Sequence, residues 1–180
     1  MDAMAELTSE QGYEATKIAD IVRRAGVARK TLYDNFDGKE EVFLAAFDSA
    51  VAEATERIEE ACAGADEGWE RRIEAGLRAL LAYVAENPAM ARLCLVEAYS
   101  ATPAASQRYD ATLGRSVELL RQSGPAANER PETTEETLAG GVAWILNQKI
   151  RHGETEQVPE LLPELLDFVL SPYHGVADTS

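Results

Sequence analysis

The chain has 180 residues, enough to bury a core as one domain of ordinary size or as two small ones. With 46% apolar and 27% charged residues it has the make-up of a soluble globular protein, and no apolar stretch approaches the roughly 20 residues that cross a bilayer. A net charge of −15 argues at first against nucleic acid, but the distribution of the charge matters more than its sum.

The opening residues, Met1-Asp2-Ala3-Met4-Ala5-Glu6, lack the basic start and apolar stretch of a secretion signal, so a cytoplasmic location is expected. Strand-like alternation is absent, and helical periodicity runs through nearly the whole chain. Ile18, Ile21, Val22 and Ala25 form a short apolar face. Val42, Phe43, Ala46, Phe47, Ala50, Val51, Ala54 and Ile58 form a long one. Trp69, Ile73, Leu77, Leu80, Leu81 and Val84 form a third, stopped at Asn87-Pro88 because proline disfavours helix in the residue before it. Pro88 suits the first turn of a further helix carrying Met90, Leu93 and Leu95.

Thr102-Pro103 is the next break, and Tyr109, Leu113, Val117 and Leu120 follow at helical spacing as far as Ser123-Gly124-Pro125. Gly124 to Thr134 is polar with two prolines and reads as the longest loop. Thr133 and Glu136 have capping-box spacing ahead of a helix bearing Leu138, Val142, Ile145 and Leu146, which ends near His152-Gly153. A last helix carries Val158, Leu161, Leu162, Leu165, Leu166 and Val169 and stops at Ser171-Pro172. The prediction is an all-α protein of about nine helices. Cys62 and Cys94 have no metal-ligand spacing and read as free thiols of a reducing compartment, with a disulfide as the alternative.

Function is concentrated near the N-terminus. Between Ala15 and Lys39 stand six basic residues (Lys17, Arg23, Arg24, Arg29, Lys30, Lys39) against three acidic ones (Asp20, Asp34, Asp37), a basic island on an acidic body. Ile18 to Ala25 is two helical turns ended by Gly26, the residue that most readily takes the left-handed geometry of a tight turn. Val27 is expected as a buried plug after the turn. A second short helix from about Ala28 to Asn35 points Leu32 and Phe36 inward and presents Arg29, Lys30, Thr31, Tyr33 and Asn35 on its other side. Two short helices around a glycine turn make a helix-turn-helix, whose second helix enters the major groove.

The stretch Gly12-Tyr13, Ala15-Thr16, Ile18-Ala19, Ala25-Gly26-Val27, Leu32-Tyr33-Asp34-Asn35-Phe36 and Lys39-Glu40 resembles the N-terminal domain of TetR-family repressors, over about forty residues. Ala28 stands where that family has Ser or Thr as the cap of its recognition helix, and Asp34 adds an acidic group to the exposed side. The family also has a basic arm and another helical turn ahead of what matches Met1 to Met4. The expectation is therefore a late start or an incomplete version of the chain, with an arm missing.

The resemblance implies a three-helix DNA-binding domain over residues 1–47 and a helical effector-binding and dimerisation domain over 48–180. It implies base or phosphate contacts from Arg29, Lys30 and Thr31, with Asn35 on the same face. Tyr33 matches the family's phosphate-binding tyrosine, and Lys39 a phosphate contact at the start of the fourth helix. Thr16 is expected to cap the second helix and to touch phosphate, with Lys17 beside it. An effector cavity in the body would draw on Tyr83, Met90, Cys94, Tyr99, Trp144, Asn147, Gln148 and His152, although for each the core reading is the stronger, since aromatic and Met residues at helical spacing are usually core. The last two helices, with Gly140-Gly141 allowing close approach, would pair with those of a second copy in a four-helix interface.

The partners expected are thus double-stranded operator DNA, a small-molecule effector and a second copy of the chain, with no membrane. Neither catalytic residues, nor a metal, nor a cofactor is expected. The chain has only His152 and His174, no metal-binding His-Glu-x-x-His, no phosphate loop and no Gly-x-Ser-x-Gly. A helical scaffold that keeps a decayed helix-turn-helix is one alternative reading and a small all-helical enzyme a lesser one; a decayed reader would be expected to lose Arg29, Lys30, Thr31 and Lys39.

Overall fold

A computed structural model of the chain describes residues 1–65, 68–123 and 131–174. Every regular element among them is helical, as expected. The α-helices are α1 (Asp2–Ala15), α2 (Ile18–Ala25), α3 (Arg29–Tyr33), α4 (Lys39–Ala63), α5 (Trp69–Glu86), α6 (Pro88–Ala101), α7 (Pro103–Ser123), α8 (Thr134–Arg151) and α9 (Leu162–Leu170). Within α6, Leu93–Glu97 is a π-helical turn, and 3-10 turns at Thr155–Leu161 and Ser171–Tyr173 flank α9. Most of the expected loop after Ser123 lies outside the described residues.

The helices form two compact units. The first comprises residues 1–53 and 87–110, and its core is built around Met4, Leu7, Ile21, Leu32, Phe43, Phe47 and Leu93, all buried. Phe43 is wholly inaccessible and meets the Tyr13 ring edge to face at 5.0 Å. Burial of a side chain this size contributes about 1.5–3 kcal/mol, so α4 anchors α1 through one aromatic contact. Helix α1 is not continuous: Gly12 (φ 81°, ψ 163°) leaves the helical region and kinks it. The helical pattern does not mark this kink, because one glycine within it is compatible with an unbroken helix.

Cys94 packs against the same core, and both cysteines are free thiols. Burial, with a smaller push from the nearby Asp48 carboxylate, raises the Cys94 thiol to about 12. The reactive thiolate is therefore scarce at any pH below that value. At mildly alkaline pH we expect iodoacetamide to leave Cys94 unlabelled in the folded protein and to label it in urea. Peptide mapping that found equal labelling in both states would contradict this packing.

The second unit comprises residues 54–86 and 111–180, described as far as 174. Leu81, Val84, Leu138, Leu146, Ile150, Val158, Leu165 and Val169 are buried in it. Two glycines set its helix spacing. A Cβ on Gly76 would come within 3.0 Å of the Cys62 sulfur, and one on Gly141 within 3.0 Å of the Phe168 ring. Gly141 thus lets α9 lie close on α8, whereas Gly140 faces open space.

Two local expectations are corrected here. The Thr133–Glu136 capping box does not form: Thr133 makes no side-chain cap, and Glu136 pairs with Arg121 at 3.0 Å. The last helix does not begin near Val158. Pro159 lacks the N–H that an α-helix interior needs, so Thr155–Leu161 is a 3-10 turn and α9 starts only at Leu162, with Pro163 in its first turn.

Candidate nucleic-acid interface

The turn between α2 and α3 has the geometry its residues dictate. Gly26 is left-handed (φ 66°, ψ 26°), and its N–H turns back to the Arg23 and Val22 carbonyls. The Val27 N–H also returns to the Val22 carbonyl, at 3.1 Å, which completes the reversal. Ala28 is extended and offers no side-chain cap, so α3 begins at Arg29 uncapped. Leu32 is buried and Phe36 half-buried against the core, and these two side chains hold α3 in place.

The opposite face of α3 is open. Arg29, Lys30, Thr31, Tyr33 and Asn35 are all exposed, as is Lys17 ahead of α2. The Arg29 guanidinium donates to the Tyr33 hydroxyl at 3.3 Å and sits 5.5 Å from the centre of its ring. Asn35 donates from Nδ2 to the Thr31 carbonyl at 2.8 Å, closing the last turn of α3. The rest of the basic island is occupied within the chain. Arg24 pairs with Glu6 and Glu10 at 2.9 Å and holds the Glu10 carboxyl below its usual range, and Arg23 pairs with Asp20 at 2.6 Å.

Three expectations change in this region. Val27 is not a plug but 43% exposed, because the chain reverses at Gly26 and leaves it on the outside, with Ile21 and Leu32 buried instead. It is an apolar group at the front of α3 whose position the sequence did not reveal. Thr16 does not cap α2: it is buried, its hydroxyl donates to the Gly12 carbonyl at 2.8 Å and its amide to Tyr13 O at 3.2 Å. Lys39 does not project from the start of α4. Its ammonium donates to the Tyr13 carbonyl at 2.9 Å and lies 4.0 Å from the centre of the Tyr13 ring.

The Tyr13 peptide is held from its other end as well. Its N–H donates to Glu97 Oε2 at 3.2 Å, and Glu97 Oε1 lies 3.7 Å from Arg92 Nη2.

The residues expected to line an effector cavity fall into both units. Met90 and Cys94 pack against the first core, while Tyr99 is exposed and meets Tyr109 edge to face. Tyr83 is buried in the second unit, with the Arg57 guanidinium 5.2 Å from its ring centre. Asn147 and Gln148 are half-buried and bonded to each other at 3.3 Å. Tyr99, Trp144 and His152 are corrected: they lie on the outside, Trp144 with 65% of its surface exposed. Helical spacing marks such residues as one-sided without saying whether the chain itself covers that side.

An exposed face of short helix bearing Arg29, Lys30, Thr31 and Tyr33, set by a left-handed glycine turn, defines a helix-turn-helix head. Residues 1–46 match the family model for bacterial regulatory proteins of the tetR family. Over these residues the chain is similar to the N-terminal domain of that family.

The fatty acid metabolism regulator protein of Bacillus subtilis is 35% identical over 60 residues, which cover 33% of this chain and 31% of that protein. The sequence match thus spans about a third of that relative's length. Likeness of fold extends over nearly the whole chain. The fatty acid degradation regulator FadR from Bacillus halodurans superposes with a TM-score of 0.83 at 16% identity, covering 97% of this chain and 96% of that one. FadR from Bacillus subtilis, in complex with stearoyl-CoA, superposes with a TM-score of 0.82 at 17% identity, covering 95% and 96%. Among the described residues no single helix is long and apolar enough to cross a membrane.

Proposed function

We propose that this protein is a non-catalytic, ligand-responsive transcriptional repressor of the cytoplasm, which binds a near-palindromic operator as a dimer. The observation that carries the proposal is the open face of α3 on a TetR-type head. Arg29 and Lys30 contact guanine edges or phosphates, Thr31 and the exposed Val27 reach thymine methyls, and Tyr33, Asn35 and Lys17 complete the contacts. Thr16 and Lys39, engaged within the chain, position this face instead of touching DNA. Residues 1–47 form the reading domain and 48–180 the effector and dimer domain.

An amphipathic effector completes the reading, and stearoyl-CoA, which one protein of the same fold holds, is the first to test. It releases the operator by binding the free state better than the DNA-bound state, since coupling is set by that difference alone. A helical scaffold with a decayed head is disfavoured because Arg29, Lys30 and Thr31 all remain exposed.

Footprinting on the DNA upstream of the protein's own gene tests the proposal. The expected result is one protected stretch with two half-sites, occupied at a Kd of about 10⁻⁸ M or tighter, and loss of protection when stearoyl-CoA is added. Binding no tighter than to unrelated DNA would turn the reading towards the scaffold. Protection that stearoyl-CoA leaves unchanged would remove that effector alone.

A further inference from the structure

We propose that Glu97 is a positioning residue for the DNA-reading head, acting through the Tyr13 peptide; this rests on the repressor reading above. At Gly12 the backbone leaves the helical region, so the Tyr13 N–H cannot continue the hydrogen-bond ladder of α1. Tyr13 is buried, and a buried amide requires an acceptor. The acceptor comes from another element, Glu97 Oε2 at 3.2 Å. The Glu97 side chain is only 15% exposed, and a carboxylate so enclosed persists where its oxygens are engaged.

The π-helical turn brings this about. Leu93–Glu97 inserts one extra residue into the ladder of α6 and re-aims the side chains that follow, and such turns concentrate at functional sites. Leu93 is wholly buried and pins the turn at its start, leaving Glu97 to face the kink of α1 at its end. A Cβ built on Gly12 would lie 3.7 Å from Glu97 Oε2, ordinary contact distance, so the carboxylate sits beside the kink.

On the other side of the same residue, Lys39 donates to the Tyr13 carbonyl and covers its ring. One residue is therefore gripped at its N–H by α6 and at its C=O by the first residue of α4. Helix α4 begins six residues beyond the end of α3, so this grip sets where α3 stands in the first unit. A shift or rotation of the π-helical turn would pull on α1 and α4 together. Glu97 touches no DNA in this scheme.

The experiment uses the full chain and the operator found by footprinting, with Glu97→Ala, Glu97→Asp and Glu97→Gln. Glutamine keeps an oxygen acceptor at the same reach; aspartate is one methylene short. We expect Glu97→Ala and Glu97→Asp to lose about tenfold in operator affinity, in the range of site-to-site couplings, with binding to unrelated DNA unchanged. Glu97→Gln restores operator binding. Amide exchange on the wild type and on Glu97→Gln should show Tyr13 protected, and on Glu97→Ala exposed.

Equal operator affinity in wild type and Glu97→Ala overturns the positioning role, as does a parallel fall in specific and non-specific binding. A wild-type Tyr13 amide that exchanges like a free peptide overturns it without any variant having to fold. A wild type that binds no operator overturns the repressor reading first, and the positioning role with it.

Discussion

Replacing Arg29 and Lys30 together by alanine is expected to weaken operator binding by about a hundredfold or more, with the protein still folded. Each group that reads a base or a phosphate contributes about 1–3 kcal/mol, and the two lie side by side on the open face of α3. Neither packs on the core, which Leu32 and Phe36 reach from the opposite side. Alanine is also the strongest helix former, so α3 itself gains if anything. If Lys30 meets a phosphate, its single substitution also lowers the slope of log affinity against log salt by about one unit. A gel-shift titration checks both effects, and unchanged affinity in the double variant would remove α3 as the reading helix.

An effect of similar size is expected from Trp144→Glu, which should give monomers that keep their helices and lose tight operator binding. Trp144 is 65% exposed on α8, one turn beyond Gly141, where the 39% exposed Phe168 ring lies on the helix backbone. Two adjacent aromatic rings left open by the chain's own packing suit an isologous contact with a second copy, and aromatic residues dominate such interfaces.

Leu162 and Leu165 of α9 do not serve this test. Leu162 and Leu165 are buried inside the unit, so a charge there would unfold it whatever the oligomeric state. If the proposed dimer is broken, the two heads would no longer share an axis that spaces them about 34–36 Å apart, and the gain from binding both half-sites together would be lost. Sedimentation showing a stable wild-type monomer at micromolar concentration would sink the dimer, and a Trp144→Glu variant that stays dimeric would move the interface elsewhere.

What the sequence disclosed followed from residues whose chemistry leaves little choice. Gly26 ends α2 in a left-handed turn, Pro88 starts α6, and Leu32 faces inward as its spacing demands. The helical class and the open face of α3 followed from such features. Some of the misses, Lys39 and Glu97 among them, have a different cause: a partner distant in the chain, whereas Val27, Thr16 and the start of α9 turned on residues close by.

Lys39 looks like any basic residue at a helix start until the Tyr13 carbonyl, 26 residues away, is seen to take its proton donor. Glu97 gave no signal, because a π-helical turn has no residue signature and its acceptor role exists only beside the kink at Gly12. Trp144 fitted an inward face by spacing, but amphipathic patterns do not distinguish a side covered by the same chain from one covered by another.

The way α3 is fastened has a consequence for how such a protein can diverge. Leu32 and Phe36 secure it, and its other side chains are free of the core. Substitutions at Arg29, Lys30, Thr31 or Tyr33 therefore leave folding nearly untouched, within about 0.5 kcal/mol for ordinary surface positions. Binding preference and thermodynamic stability are written on separate residues. A duplicated gene could acquire a new target sequence through a few changes on this helix, with no compensating repair in the core.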